Sequence, residues 1–447
     1  MSARLENVAR RLARLPPPMM LASLYAALIL IGALLLKTPL ARNIPLSWSE
    51  VFFTATSAVT VTGLSVFDVS SGLTLFGQAT LAVLIQLGGT GLMVFAVLIL
   101  NSLGLPVGIT GQIYLREDLN QHSLGQLAAL VRTILKIVLL CEALGAAVLM
   151  LSFGLDFGFW PGLWHAVFHA VSAFNNAGFT TLPQGLTPYI VDPAVNLAIP
   201  LLIIFGGIGY VVIQDVARQP NWRAWSLHTK IMLVGTAVLL PWSVGMFAIL
   251  EWTNPLTLGA LESPAARLVA SWFQGVTTRT AGFNTVDVAG MHDSTSLMII
   301  SLMLIGGGPT STAGGLKVTT MVVMVIATVA FFQRRSQLHA FGRGIELEQV
   351  LKVMALTAIS LMLVFLGVFV LTISHDGHFL DVSFEVASAF GTAGLSRGYT
   401  AELSGFGRIV IMAIMFIGKV GPLTLGFFLA TQIPPRLRYP AGKIHLG

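Results

Sequence analysis

Charge is what this 447-residue sequence has least of. Only 10% of its residues are Asp, Glu, Lys or Arg, against 55% hydrophobic, where a soluble domain carries about 25% charged residues. That scarcity excludes an ordinary water-soluble domain and points to an integral membrane protein. Cysteine is nearly missing too. With Cys141 alone, an intrachain disulfide is excluded and a thiolate metal site has no basis, so Cys141 reads as a small core residue. A P-loop, a nucleophile elbow and a zinc-protease signature are absent, so no enzymatic site is expected. "GGIGY", from Gly206, sits in an apolar run with no following βαβ unit and is no dinucleotide fingerprint.

What is present is apolar length. Charge-free runs extend over Leu15–Leu36, Ser70–Leu115, Ala143–Leu155, Pro193–Gln214 and Ile231–Leu250. The second is about twice the 17–25 residues one span needs, so it holds more than one element or a long extension. The net charge of +6 does not call for nucleic acid. About 17 of the 25 Lys and Arg fall in five clusters, Arg4–Arg14, Arg116–Lys136, Arg218–Lys230, Arg334–Lys352 and Arg436–Lys443. Basic loops stay on the cytoplasmic side, so both termini and three internal loops are expected inside a cell (inner) membrane. The Arg-rich start reads as the flank of a retained first helix rather than a signal peptide, because spans of the same kind recur.

The basic clusters divide the chain into four repeats, 15–115, 116–217, 218–335 and 336–447. Each carries one short polar stretch around a glycine: "TVTGLS" at Gly63, "NNAGFTT" at Gly178, "TRTAGFNT" at Gly282 and "GTAGLSRG" at Gly394. Before the stretch comes a short amphipathic segment, as in "WSEVFFTATSAV", "LWHAVFHAVSAF" and "LDVSFEVASAF". At 1.5 Å per residue, about 12 residues make about 18 Å, too short for a bilayer core of about 30 Å. Such a helix dips in and returns. A second marker follows each of these glycines in phase, at Gly88, Gly206, Gly306 and Gly418. The expected fold is an all-α membrane protein of about eight transmembrane helices. It has four parallel repeats of outer helix, re-entrant pore helix with loop, and inner helix, around a pseudo-fourfold axis.

Irregular backbone at membrane depth lines water or is buried in protein. Four such loops around one axis offer carbonyl oxygens to a dehydrated cation. The short helices aim the negative ends of their dipoles at the centre. Side chains of Thr60, Thr62, Asn175, Asn176 and Thr392 are candidates to brace the loops. A tight helix-packing role for the glycines is the competing explanation.

The four stretches, "SAFNNAGF" and "TRTAGFN" above all, together with the glycine-broken third inner span and "FIGKVGPLT" near the end, resemble the Trk/Ktr/HKT superfamily of potassium transporters, and within it the Ktr-type membrane subunits. The resemblance covers essentially the whole chain, which is expected to start directly with the first repeat. It implies a selectivity filter made by Val61, Thr62, Gly63, Asn176, Ala177, Gly178, Thr280, Ala281, Gly282, Thr392, Ala393 and Gly394, with Thr60, Asn175, Arg279 and Gly391 preceding each trio. Glycine at all four positions implies preference for K+, since some sodium-conducting relatives carry Ser at the first. The resemblance also implies a homodimer on a cytosolic, nucleotide-binding regulatory ring, with K+ as the transported ion and Na+ as an activator. A Na+- or H+-coupled K+ symporter of the same fold is the alternative.

"GGGPTSTAGGLKVTT", 306–320, interrupts the third inner span with five glycines and a proline, which cannot sustain a helix. By resemblance it is an intramembrane gate: Gly306, Gly307, Gly308, Pro309, Thr310, Ser311, Thr312, Ala313, Gly314, Gly315 and Lys317. Lys419 is a cation at membrane depth where relatives mostly carry Arg. It is expected to face the pore below the filter or pair with flap carbonyls, with snorkelling as the alternative. Glu385 is expected to prop the filter through backbone N–H groups. Arg279 needs an acid, with Glu385 and Asp287 both open. Asp68 and Asp287 either concentrate cations at the outer mouth or cap helices. His165 and His169, spaced i, i+4, are expected to pack or hydrogen-bond rather than hold a metal.

Overall fold

The computed structural model describes residues 17–90, 127–335 and 337–421. The clusters Arg4–Arg14 and Arg436–Lys443, the start of Arg116–Lys136, the first inner run beyond residue 90 and the final residues of "FIGKVGPLT" lie outside them. Within them the chain is all-α apart from a two-residue-per-strand hairpin, His339–Ala340 with Arg343–Gly344. Short helical turns aside, the order is α1 (Pro17–Lys37), α2 (Trp48–Thr60), α3 (Leu75–Gly89), α4 (Leu127–Phe157), α5 (Phe159–Phe174), α6 (Pro193–Ile208) and α7 (Tyr210–Arg218). It continues with α8 (Leu227–Glu251), α9 (Pro264–Thr277), α10 (Asp293–Leu304), α11 (Val318–Phe332), α12 (Leu347–Ser374), α13 (Phe379–Gly391) and α14 (Gly405–Val420).

Length separates these helices into kinds. α4, α8 and α12 contain stretches of 26, 25 and 28 residues that are long and apolar enough to cross a bilayer. Their outward residues stay uncovered, including Leu139, Leu144 and Leu151 on α4 and Phe365, Phe369 and Ile373 on α12. Lipid is the solvent that makes such exposure favourable. By contrast α2, α5, α9 and α13 have 13, 16, 14 and 13 residues, about 20–24 Å each, less than a bilayer core. They are the buried centre of the molecule. Phe53, Phe168, Phe174, Phe273, Phe384 and Phe390, all on these four helices, are among the largest fully buried side chains.

Local sequence explains where the short helices start. Ser47 and Glu50 form a reciprocal capping box on α2, which leaves two N-terminal donors satisfied. The Ser47 backbone N–H and hydroxyl hold the Glu50 carboxyl below the usual carboxylate range. Ser263 caps α9 ahead of Pro264, the position where proline's missing N–H does no harm.

The in-phase second glycines have a packing reason. A Cβ on Gly88, Gly206 or Gly418 would lie 2.0, 1.8 or 2.1 Å from the carbonyl oxygen of Val59, Phe174 or Phe390. The inner helices of the first, second and fourth repeats therefore lie directly against the last turn of their own short helices, closer than any side chain permits, whereas a Cβ on Gly306 would lie 2.0 Å from Gly314 O.

One expected element is corrected. The run Pro193–Gln214 is not a single span: α6 and α7 meet at a 90° bend. Gly209 makes the bend with φ 100 and ψ 140, a conformation open essentially to glycine. Hydrophobicity continues through the bend, so the run length conceals it.

Candidate functional site

The four short helices end alike. Val61, Asn176, Thr280 and Thr392 have φ of 58, 57, 63 and 51, and the glycine two residues later has φ of 94, 68, 80 and 75 at Gly63, Gly178, Gly282 and Gly394. Thr62, Ala177 and Ala393 donate their N–H to Ser57 O, Ser172 O and Ser388 O at 2.7, 2.7 and 2.8 Å, closing each helix with a left-handed cap. The third repeat is tighter by one residue, with Ala281 N donating to Thr277 O at 3.1 Å. Alternating left- and right-handed φ turns consecutive peptide groups toward one side of a loop.

The loops meet as a ring. A Cβ on Gly63 would sit 2.3 Å from Ala177 O, on Gly178 2.7 Å from Ala281 O, on Gly282 2.9 Å from Ala393 O, and on Gly394 2.2 Å from Thr62 O. Each glycine thus abuts the carbonyl just before the next glycine, and the cycle through all four repeats closes. A cavity of about 370 Å³ opens on these four glycines, bordered by Asn284, Asp287, Ser396 and Arg397.

Of the residues preceding each trio, Thr60 and Gly391 belong to the helices α2 and α13 rather than to loops. Gly391 packs on α10, where a Cβ would lie 2.1 Å from Met303 O. Thr60 and Thr62 share a hydroxyl contact of 2.7 Å. Hydroxyls that the sequence pattern does not single out stand behind the loops. Ser57 Oγ accepts from Gly63 N at 3.0 Å, Ser172 Oγ donates to Phe179 O at 2.9 Å, and Thr277 Oγ1 donates to Phe283 O at 2.7 Å. A Ser or Thr five or six positions ahead of each glycine was the available signal.

Below the ring, residues 305–317 form a loop closed at its base by Gly306 N to Leu316 O at 2.7 Å and Leu316 N to Leu304 O at 3.1 Å. On one side it binds the second repeat. Gly308 N donates to Gly207 O at 2.8 Å, Tyr210 N to Thr310 O at 3.3 Å, and Thr312 Oγ1 to Phe174 O at 3.4 Å. On the other it binds the fourth. Gly314 N donates to Thr392 Oγ1 at 3.0 Å, Gly315 N to Gly418 O at 3.3 Å, and Lys419 Nζ to Thr312 O. The second and fourth repeats stand opposite each other in the ring, so the loop lies across the axis. Lys317 Nζ bonds Ala313 O at 2.6 Å within the loop. The bend at Gly209 belongs here too, since a Cβ there would lie 2.6 Å from Pro309 O.

Several expected partners differ. Glu385 is fully buried, yet its oxygens accept from the Ser396 hydroxyl at 2.8 Å and from the Thr400 hydroxyl, not from filter N–H groups. The segment after the fourth glycine turns hydroxyls, rather than amides, toward it. Arg279 finds neither Glu385 nor Asp287. Among the described residues its Nε has no partner, and Arg279 lines a small gap with Ile203, Gly207 and Gly307, beside the crossing loop. Asp68 caps the turn Val69–Gly72, whereas Asp287 borders the cavity over the glycines. His165 and His169 hydrogen-bond Thr181 and Thr180 at 2.7 and 2.9 Å, which braces the segment after Gly178.

At the cavity rim, Arg397 pairs with Asp381 at 2.6 Å and lies 3.9 Å from Asp293, tying α13 to α10. Arg397→Ala is expected to destabilise the fold by about 1–2 kcal/mol, the discounted value of a charged hydrogen bond with one partly exposed partner. A thermal melt in detergent checks this, and an unchanged midpoint would remove the bridge's structural role.

Short helices that cannot span, four loops closed into a ring, and lipid-facing long helices define a polytopic helical membrane protein built around one central axis. The chain belongs to the TrkH family of cation transport proteins, whose pattern it matches over residues 21–435; this is a transporter family, not an enzyme family. It is 43% identical over 434 residues to the Ktr system potassium uptake protein B of Bacillus subtilis (strain 168), covering 97% of both chains. It is 37% identical to the protein of the same name from Vibrio alginolyticus, covering 95% of this chain and 93% of that one. Identity to the potassium/sodium uptake protein NtpJ of Enterococcus hirae is 35%, over 97% and 98%. Among solved structures, the potassium transporter TrkH from Vibrio parahaemolyticus shares the fold, with a TM-score of 0.73 at 19% identity over 92% of this chain and 84% of that one.

Proposed function

We propose that this chain is the pore-forming subunit of a potassium uptake system, in which K+ moves down its electrochemical gradient through a filter made by the four loops. The observation that carries this reading is the closed cycle of glycine-to-carbonyl contacts from Gly63 through Gly178 and Gly282 to Gly394. Backbone oxygens so arranged replace the water shell of a cation, and the C-terminal ends of α2, α5, α9 and α13 add negative potential at the same centre. A potential of 100 mV supplies about 2.3 kcal/mol per charge, enough to accumulate K+ without hydrolysis. The roles of residues 60–63, 175–178, 279–282 and 391–394 follow this reading, as do the four repeat boundaries. Names of the relatives support potassium as the ion, and "Ktr system" supports further components. A homodimer on a cytosolic nucleotide-binding ring, with cytoplasmic termini, is the assembly we adopt. The Enterococcus relative's name joins sodium to potassium, so Na+ is to be assayed both as competitor and as activator. Expression in a host lacking its own potassium uptake tests the reading: growth at low K+ supports it, and none with membrane-inserted protein counts against it.

The crossing loop is the gate, held shut by its bonds to Thr392, Gly418 and Lys419. Lys419→Ala removes the donor to Thr312 O and also a positive charge next to the pathway. Its expected result is a several-fold rise in basal 86Rb+ uptake without the cytosolic partner. Wild-type uptake in that variant would leave Lys419 as a snorkelling residue.

A further inference from the structure

Glu142 lies on α4, at membrane depth, with 7% of its surface exposed. Its Oε1 accepts from the Asn175 side-chain amide at 3.2 Å, beside the Gln86 side chain of α3. The Asn175 amide also reaches Gln86 Oε1 and Val171 O, both at 2.9 Å. Asn175 directly precedes Asn176, the left-handed residue that begins the second loop. Among the described residues no ion pair includes Glu142. Glu385 repeats the situation behind the fourth loop: it is fully buried, its oxygens are met by hydroxyls of Ser396 and Thr400, and among the described residues it has no cationic partner. The second and fourth loops face each other across the ring.

A carboxylate buried in a membrane protein without a cation is unfavourable unless another positive charge is near. Arg279 and Lys419 are the fixed cations nearest the loops, and among the described residues neither forms an ion pair with Glu142 or Glu385; the positive charge that the four loops are arranged to hold is the ion in the ring. We infer that Glu142, with Glu385 opposite, supplies the buried negative charge that strengthens cation binding in the filter, and that Glu142 also positions the second loop through Asn175. This rests on the pore reading proposed above. Binding linkage makes the effect mutual: the ion stabilises the ionised carboxylates as they stabilise the ion. The arrangement also couples repeats, since Gln86 comes from the first and Glu142 from the second.

Potassium uptake kinetics in whole cells separate charge from packing. E142Q keeps the size of the side chain and one acceptor oxygen for the Asn175 amide but loses the charge. It is expected to raise the K+ concentration for half-maximal uptake by about tenfold, the order expected of one unit charge roughly 12 Å from the ion at an effective dielectric near 20, with the maximal rate little changed. E142D keeps the charge and is expected to stay within a few-fold of wild type. A purely structural Glu142 instead leaves half-saturation of E142Q unmoved, or lowers only the maximal rate with folded yield, and either result overturns the inference. If E142Q does not fold by size-exclusion chromatography, E385Q carries the same test with the same expectation. The pore reading is judged separately by Gly63→Ala. Loss of uptake there together with wild-type half-saturation in E142Q sinks the counter-charge alone.

Discussion

Gly63→Ala is expected to lower potassium uptake at least about tenfold and to let sodium compete for what remains. Two physical effects act together. At φ 94 the backbone of Gly63 lies where an L-residue is disfavoured by about 1–2 kcal/mol. The added methyl would also lie 2.3 Å from Ala177 O, so the first and second loops must move apart. A ring that replaces a hydration shell depends on the spacing of its oxygens, and a shift of a few tenths of an ångström changes which ion fits. Gly185→Ala is the control. It has a positive φ of 59 as well, but its new Cβ would meet nothing nearer than Thr180 at 4.0 Å, outside the ring. That variant is expected to lose some stability and keep its ion preference. Equal behaviour of the two variants in 86Rb+ and 22Na+ uptake would show that only backbone strain, not the ring, is being measured.

Shortening the crossing loop is expected to produce the opposite change. Deleting residues 308–313 and joining Gly307 to Gly314 should raise uptake by tenfold or so in cells lacking any cytosolic partner, with the K+/Na+ preference retained, because a gate and a filter are separate barriers. The base can close over the deletion: Gly306 N already bonds Leu316 O at 2.7 Å, and a Cβ on Gly306 would lie 2.0 Å from Gly314 O. The deletion takes away Thr312, the acceptor for Lys419, and Thr310, the acceptor for Tyr210. Uptake unchanged or reduced in a well-folded deletion protein would mean the loop supports the filter and does not gate it.

Much of this architecture is legible in the sequence because the signals are lengths and glycines. Helices of about 12 apolar residues cannot cross a bilayer, and glycines that recur in phase mark loops and close contacts. Directions are not legible in the same way. Val61 takes a left-handed φ of 58 although valine is a poor residue for it. Only the cap to Ser57 and the meeting of four loops impose that geometry, and neither is local. The 90° bend at Gly209 hides because "GGIGY" is as apolar as the run around it. Arg279 reads as a charge beside the filter, yet it shares a small gap with Gly307 of the crossing loop. Glu142 looks like a stray acid in an apolar helix. Its meaning depends on Asn175 and Gln86, 33 residues later and 56 earlier in the chain.

The most direct measurement is a crystal structure of the protein grown with Tl+ or Rb+ and phased to locate the heavy ion by anomalous scattering. The account predicts a peak on the axis enclosed by Gly63, Gly178, Gly282 and Gly394, above the crossing loop, that fades when the crystals are exchanged into Na+. Strong ion density elsewhere in the membrane region, with that axis empty, would contradict it.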